Sequence, residues 1–195
     1  MKQFGDGLFA KNPVLVLALG LVPAVAVTTT AMNGLALGIL AAVVMLVAAA
    51  VNWALIPYVP ENAKLAVRVL VLIVLVTFAY GVLVQRNPGL AAGLGIFLPL
   101  LVFDELLLRA GDGEKSLPAA LLGACGQGLG FALVLVLLGV VREFLGMGTV
   151  FGKQIVSGAL APFSLAGTVP GGMVILGLLL AFVNLVSKRG GELHD

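Results

Sequence analysis

Apolar residues in this chain run on for about twenty positions at a time, long enough to cross a bilayer core about 30 Å thick. Lipid cannot solvate bare backbone, so spanning segments are helices or a closed barrel. These runs are continuous rather than alternating, which selects helices. Composition agrees. Hydrophobic residues make up 61%, charged residues 10%, and mean hydropathy is +1.19, whereas soluble domains carry about 25% charge. The 195 residues leave room for about six spans, and so for a single transmembrane domain over 1–195. A net charge of +2 is too small to suggest a nucleic-acid partner. The first 11 residues carry Lys2, Asp6 and Lys11 among two Gly and two Phe, and do not read as a cleavable signal peptide.

The spans read as 13–31, 35–56, 65–84, 90–109, 117–140 and 168–187. Breaks fall at Asn33-Gly34, Pro57-Tyr58-Val59-Pro60, Gln85-Arg86-Asn87-Pro88, Gly111-Asp112-Gly113 and in the loop 141–167. Six spans put both termini on one side, together with Lys2, Lys11, Lys64, Arg68, Arg109, Lys115, Lys188 and Arg189. The other side holds Arg86, Arg142 and Lys153. Basic residues favour the cytoplasmic side, so both termini are expected in the cytoplasm.

Two stretches repeat one broken-helix pattern. The first holds Asn12-Pro13, Leu19-Gly20-Leu21-Val22-Pro23 and Thr28-Thr29-Thr30. The second holds Asn87-Pro88, Leu94-Gly95-Ile96-Phe97-Leu98-Pro99 and Phe103-Asp104-Glu105. Pro removes a backbone donor and kinks a helix. Spans one and four are therefore expected to be discontinuous. Three spans per half, about 1–84 and 85–195, insert in opposite senses, which is an inverted repeat. Paired Gly/Pro-interrupted spans point to a functional site near the midplane of such a protein.

These segments, with Ala31-Met32-Asn33-Gly34-Leu35, Val141-Arg142-Glu143 running through Gly146-Met147-Gly148-Thr149-Val150-Phe151-Gly152, and Pro170-Gly171-Gly172, resemble the small membrane subunits of the Rnf and Nqr ion-translocating electron-transport complexes. The likeness is nearest to the E-type subunit of Rnf, the D-type of Nqr, and covers nearly the whole chain. It implies an all-α protein of six helices in two inverted halves, in the cytoplasmic (inner) membrane of a prokaryote. It also implies a homologous partner of opposite topology (RnfA- or NqrE-like) among other complex subunits. Relatives of this kind place one Cys in each broken helix, in Leu-Gly-x-Cys-Pro and Thr-Asn-Cys, as ligands of an intramembrane 2Fe-2S cluster. Here those positions hold Val22 and Glu105. Clusters are normally held by thiolates; Val cannot ligate, and Glu is a hard oxygen donor. No cofactor is thus expected on this chain's own residues. Cys125 occupies neither position and reads as a small hydrophobe among Gly123, Gly126 and Gly128.

Asp104 and Glu105 are the sharpest replacement. Ionisable groups at membrane depth are costly and mark function by default, so the pair is a candidate Na⁺ or proton route. The alternative is plain ion pairing or subunit contact, since Arg109 follows Glu105 by the four residues of a helical salt bridge. Thr28, Thr29 and Thr30 could line the same route, or could satisfy the broken helix's own backbone. Gly34, Gly38, Gly123, Gly126, Gly128 and Gly130 suit close helix approach, and Gln127 an interhelical hydrogen bond. Arg142-Glu143 reads as a local ion pair or a docking surface on the outer loop. Trp53, Tyr58 and Tyr80 read as interface anchors. No Ser/His/Asp set exists, because the single His is His194 near the end, and no phosphate-binding loop is present. A small inverted-repeat cation or substrate transporter using Asp104 and Glu105 is the alternative function.

Overall fold

In the computed structural model, residues 21–114, 116–155 and 163–186 are described. They form α1 (Leu21–Val27), α2 (Ala31–Leu55), α3 (Lys64–Arg86), α4 (Pro88–Leu94), α5 (Phe97–Leu100), α6 (Glu105–Leu108), α7 (Leu117–Met147) and α8 (Val169–Val186). Four 3₁₀ turns, at Ile56–Tyr58, Glu61–Ala63, Leu101–Phe103 and Ser164–Gly167, join them. A two-stranded hairpin, β1 (Thr149–Val150) and β2 (Lys153–Gln154), pairs Thr149 with Gln154 and Val150 with Lys153.

Local chemistry sets the ends. Thr30 is extended, and its hydroxyl accepts from the Asn33 N–H at 3.2 Å, which starts α2. Pro57, lacking an N–H, tightens the chain after α2 into a 3₁₀ turn. Pro118 sits in the first turn of α7, where no donor is needed. Gly148 takes φ +68° and closes the other end.

The packing spine is α2 against α7, and small residues make it possible. A Cβ on Gly34 would lie 2.5 Å from the Leu135 carbonyl oxygen, on Gly38 2.7 Å from Ala132 Cα, and on Gly128 2.9 Å from Ala42 Cα. Gly139 meets Thr30 and Ala31 just as closely. Partner numbers fall as α2 numbers rise, so the helices are antiparallel and touch backbone to backbone. Leu37, Met45, Phe131, Leu135 and Leu138 fill the remaining space and are fully buried. At the far end of α2, the Asn52 amide donates to the Ala110 carbonyl at 3.1 Å. By contrast, α3 buries only Leu72 and Val76 and exposes Leu70, Ile73, Val74 and Phe78. In a membrane, lipid or a neighbouring helix covers such a face.

Among the described residues, three segments, Ala31–Tyr58, Glu61–Arg86 and Leu117–Met147, are long and apolar enough to cross a membrane, and Val169–Phe182 is a shorter apolar stretch. Several boundaries differ from expectation. The helix does not break at Asn33-Gly34; the turn lies earlier, at Thr28–Thr30, and α2 runs through that dipeptide. Span four is four short pieces rather than one kinked helix. Pro99 lies inside α5, while the interruptions fall at Gly95 (φ +52°) and at the extended Asp104. Span five continues to Met147, which puts Arg142 and Glu143 on the helix and not in a loop. Most of span one, with Asn12-Pro13 and Leu19-Gly20, lies outside the described residues.

Candidate functional site

The two breaks are built differently. At the first, α1 ends at Val27 and α2 begins at Ala31. A helix end leaves carbonyls without partners, and a helix start leaves N–H groups without partners. Neighbouring residues of α7 supply both kinds of partner. Arg142 reaches the α1 side: Nη1 donates to the Val25 carbonyl and, at 3.1 Å, to Thr28 Oγ1. Its Nε donates to Ala166 O at 3.0 Å, and Nη2 to Gly167 O at 3.2 Å and Thr168 O at 2.9 Å. Glu143 reaches the α2 side: Oε2 accepts from the Ala31 N–H at 2.8 Å. Oε1 accepts from Thr149 Oγ1 at 3.0 Å and from the Gly152 N–H at 2.7 Å. Arg142 is 0% exposed and Glu143 2%. A cation thus faces the carbonyl end of one helix and an anion the amide end of the next, each the sign the helix dipole favours.

Arg142 and Glu143 are therefore neither a local ion pair nor a docking surface: they are buried, and each is engaged elsewhere. The sequence carries the dipeptide and Gly139 one turn before it, but not the continuation of α7 to Met147 that buries the pair. Among the threonines, Thr28 donates to the Ala24 carbonyl and accepts from Arg142. Thr30 caps α2. Both hydroxyls serve the break itself.

The second break has no such partner. Asp104, φ −75° and ψ 119°, caps the short α6 by accepting the Leu106 N–H on Oδ1 at 3.1 Å. Asp104 is 8% exposed, and its Oδ2 is buried without a hydrogen-bond partner among the described residues. Glu105 points elsewhere. It pairs with Arg109 at 2.6 Å, and both side chains are well exposed. The adjacent carboxylates are thus separated, one inward and one at the rim.

That rim is a charged cleft of about 720 Å³ lined by Glu61, Lys64, Arg68, Glu105, Arg109 and Asp112. Lys64 pairs with Glu61, and Arg68 with Asp112, each at 2.6 Å. So Lys64, Arg68 and Arg109 gather at one end of the bundle, while Arg142 and Lys153 belong to the other end of α7. Trp53, Tyr58 and Tyr80 are exposed, with Trp53 and Tyr58 lining a neighbouring hollow at the charged end.

The residues at the cluster positions do not suit a 2Fe-2S cluster. Val22 lies in α1 and offers no donor, and Glu105 is engaged with Arg109. Cys125, half-buried on α7, is seventeen residues from Arg142, about 25 Å along the helix. Among the described residues, no group of three or more His, Cys, Asp and Glu side chains is placed to hold a metal ion.

The sequence profile described as "Rnf-Nqr subunit, membrane protein" matches residues 1–180. The E-type subunit of the Na(+)-translocating ferredoxin:NAD(+) oxidoreductase complex of Acetobacterium woodii is 34% identical over 192 residues, covering 97% of this chain and 98% of its own. The E-type subunits of two ion-translocating oxidoreductase complexes are similar as well. That of Shewanella oneidensis is 38% identical over 94% of this chain and 86% of its own. That of Shewanella baltica is 37% identical over 96% and 88%. A family match over nearly the full length, carried by three long apolar helices and two broken segments, makes this chain a member of the Rnf-Nqr family of membrane subunits.

Proposed function

We propose that the chain is the E-type membrane subunit of an ion-translocating electron-transport complex. The carrying observation is full-length similarity to the E-type subunits of such complexes. That similarity favours a complex subunit over a solitary transporter. In this reading the chain spans the inner membrane six times, in two inverted halves, with cytoplasmic termini. It packs against a homologous subunit of opposite topology. Gathering of Lys64, Arg68 and Arg109 at one end supports the orientation. With Val22 and Glu105 at the cluster positions, electrons would cross on cofactors held by partner subunits.

The ion route runs from the charged cleft past Glu105 to Asp104. A buried carboxylate oxygen without a hydrogen-bond partner is a place for a Na⁺ ion or a proton, whereas the hydroxyls of Thr28 and Thr30 are committed to the first break. The test is cation uptake by native membrane vesicles driven by an electron donor, read with electron flow in the same sample. Asp104→Asn should sharply lower the number of cations moved per electron while electron flow continues. Glu105→Gln, at the rim, should change it little. An Asp104→Asn complex with the native ratio contradicts the route. A native ratio after deletion of the whole subunit contradicts the function.

A further inference from the structure

The guanidinium of Arg142 sits in a cage of five oxygens: the carbonyls of Val25, Ala166, Gly167 and Thr168, and the hydroxyl of Thr28. They come from two separate pieces of chain, the end of α1 with the turn after it and the Ser164–Gly167 turn with its exit. None is charged. Among the described residues no carboxylate makes an ion pair with Arg142, and Glu143 turns to Ala31, Thr149 and Gly152. A third element shapes the cage. A Cβ on Gly172 of α8 would lie 2.7 Å from Arg142 Cζ, so Gly there leaves the guanidinium its space.

Neutral carbonyl and hydroxyl oxygens converging on one buried positive charge are what membrane proteins use to replace the water of an alkali cation. They are commonly drawn from unwound backbone at a helix break. We infer that the first break is a monovalent-cation site whose occupant is the guanidinium of Arg142, carried in on α7 instead of drawn from solution. The site is filled whenever α7 is docked. A mobile Na⁺ or K⁺ finds no vacancy there. The two breaks are then complementary: the first holds a tethered cation, and the second an unpartnered carboxylate oxygen on Asp104. Shortening Arg142 to Ala removes the tether and leaves an oxygen-lined hollow open to a small free cation.

The experiment is thermal unfolding of the complex purified in mild detergent, native and Arg142→Ala. Millimolar guanidinium, Na⁺ or K⁺ chloride is compared with choline chloride at equal ionic strength. Arg142→Ala should melt below the native complex. Guanidinium should raise its Tm, saturably, by about 3 °C or more above the choline control, while the native complex gains nothing. An Arg142→Ala complex that responds like the native one overturns the inference. Should Arg142→Ala fail to assemble, the amount of complex in membranes decides between Arg142→Lys and Arg142→Met. Lys brings an ammonium that oxygens can surround, and Met brings similar bulk without charge. Accumulation of the Lys variant alone supports the site, and equal amounts of both overturn it. The readout is stability, so the result stands apart from what the complex transports.

Discussion

Successive residues on a helix point about 100° apart, and this lets Arg142 and Glu143 serve opposite sides of one break. Glu143 is the more exacting of the two. Each of its oxygens faces an N–H donor, Ala31 on one side and Gly152 on the other. Glu143→Gln must turn its NH₂ toward one of them, so it should cost about 1.5–3 kcal/mol, the scale of one hydrogen bond to a charged group. Glu143→Ala should cost more, and thermal unfolding in detergent measures both. Exchanging the charges, Arg142→Glu with Glu143→Arg, separates two accounts. A mutual ion pair would survive the exchange. Helix ends of fixed polarity would not, and the double variant should be less stable than either single one. The sequence shows this dipeptide but not its role. Burial of the pair depends on α7 running seven residues past the apolar stretch, which hydropathy alone does not reveal. Spacing does foretell the Glu105–Arg109 pair, because four residues within a helix is a local geometry.

Between elements, the contact that holds the molecule together is the glycine seam of α2 and α7. In lipid there is little hydrophobic drive between helices, so close backbone packing has to supply the association. Gly38→Leu would force its side chain into Ala132 and should abolish accumulation of folded protein. Gly38→Ala should cost about 1–3 kcal/mol, the usual range for overpacking. Gly81 of α3 has nothing within 4 Å of its would-be Cβ. Gly81→Ala should therefore be neutral or stabilising, by up to about 1 kcal/mol from helix propensity. The seam is legible in part. Gly34, Gly38 and Gly128 read as packing residues from sequence and lie in it; Gly139 escapes because it falls one turn before a charged pair that reads as loop. Span four is readable as broken but not as to where. Pro99 draws attention, yet a Pro early in a short helix costs no bond. Gly95, with its positive φ, and the capping Asp104 make the interruptions.

For the whole molecule, hydrophobic runs tell the class, and the family motifs tell the kinship. Among the described residues three helices are long and apolar enough to span; six spans, inverted halves and a homologous partner are part of the proposed function. What the chain does contain is uneven. One break is closed by a buried guanidinium and carboxylate, the other leaves a carboxylate oxygen free, and neither has a cysteine at its cluster position. The most direct test is isolation of this chain from native membranes in mild detergent, with its companions identified by mass spectrometry and its iron, acid-labile sulfide and EPR signal measured after reduction. A homologous small membrane subunit and redox subunits should accompany it in the same particle, with every iron–sulfur signal lost when those companions are stripped from this chain. A chain that purifies alone, or one that keeps a 2Fe-2S signal by itself, would contradict that expectation.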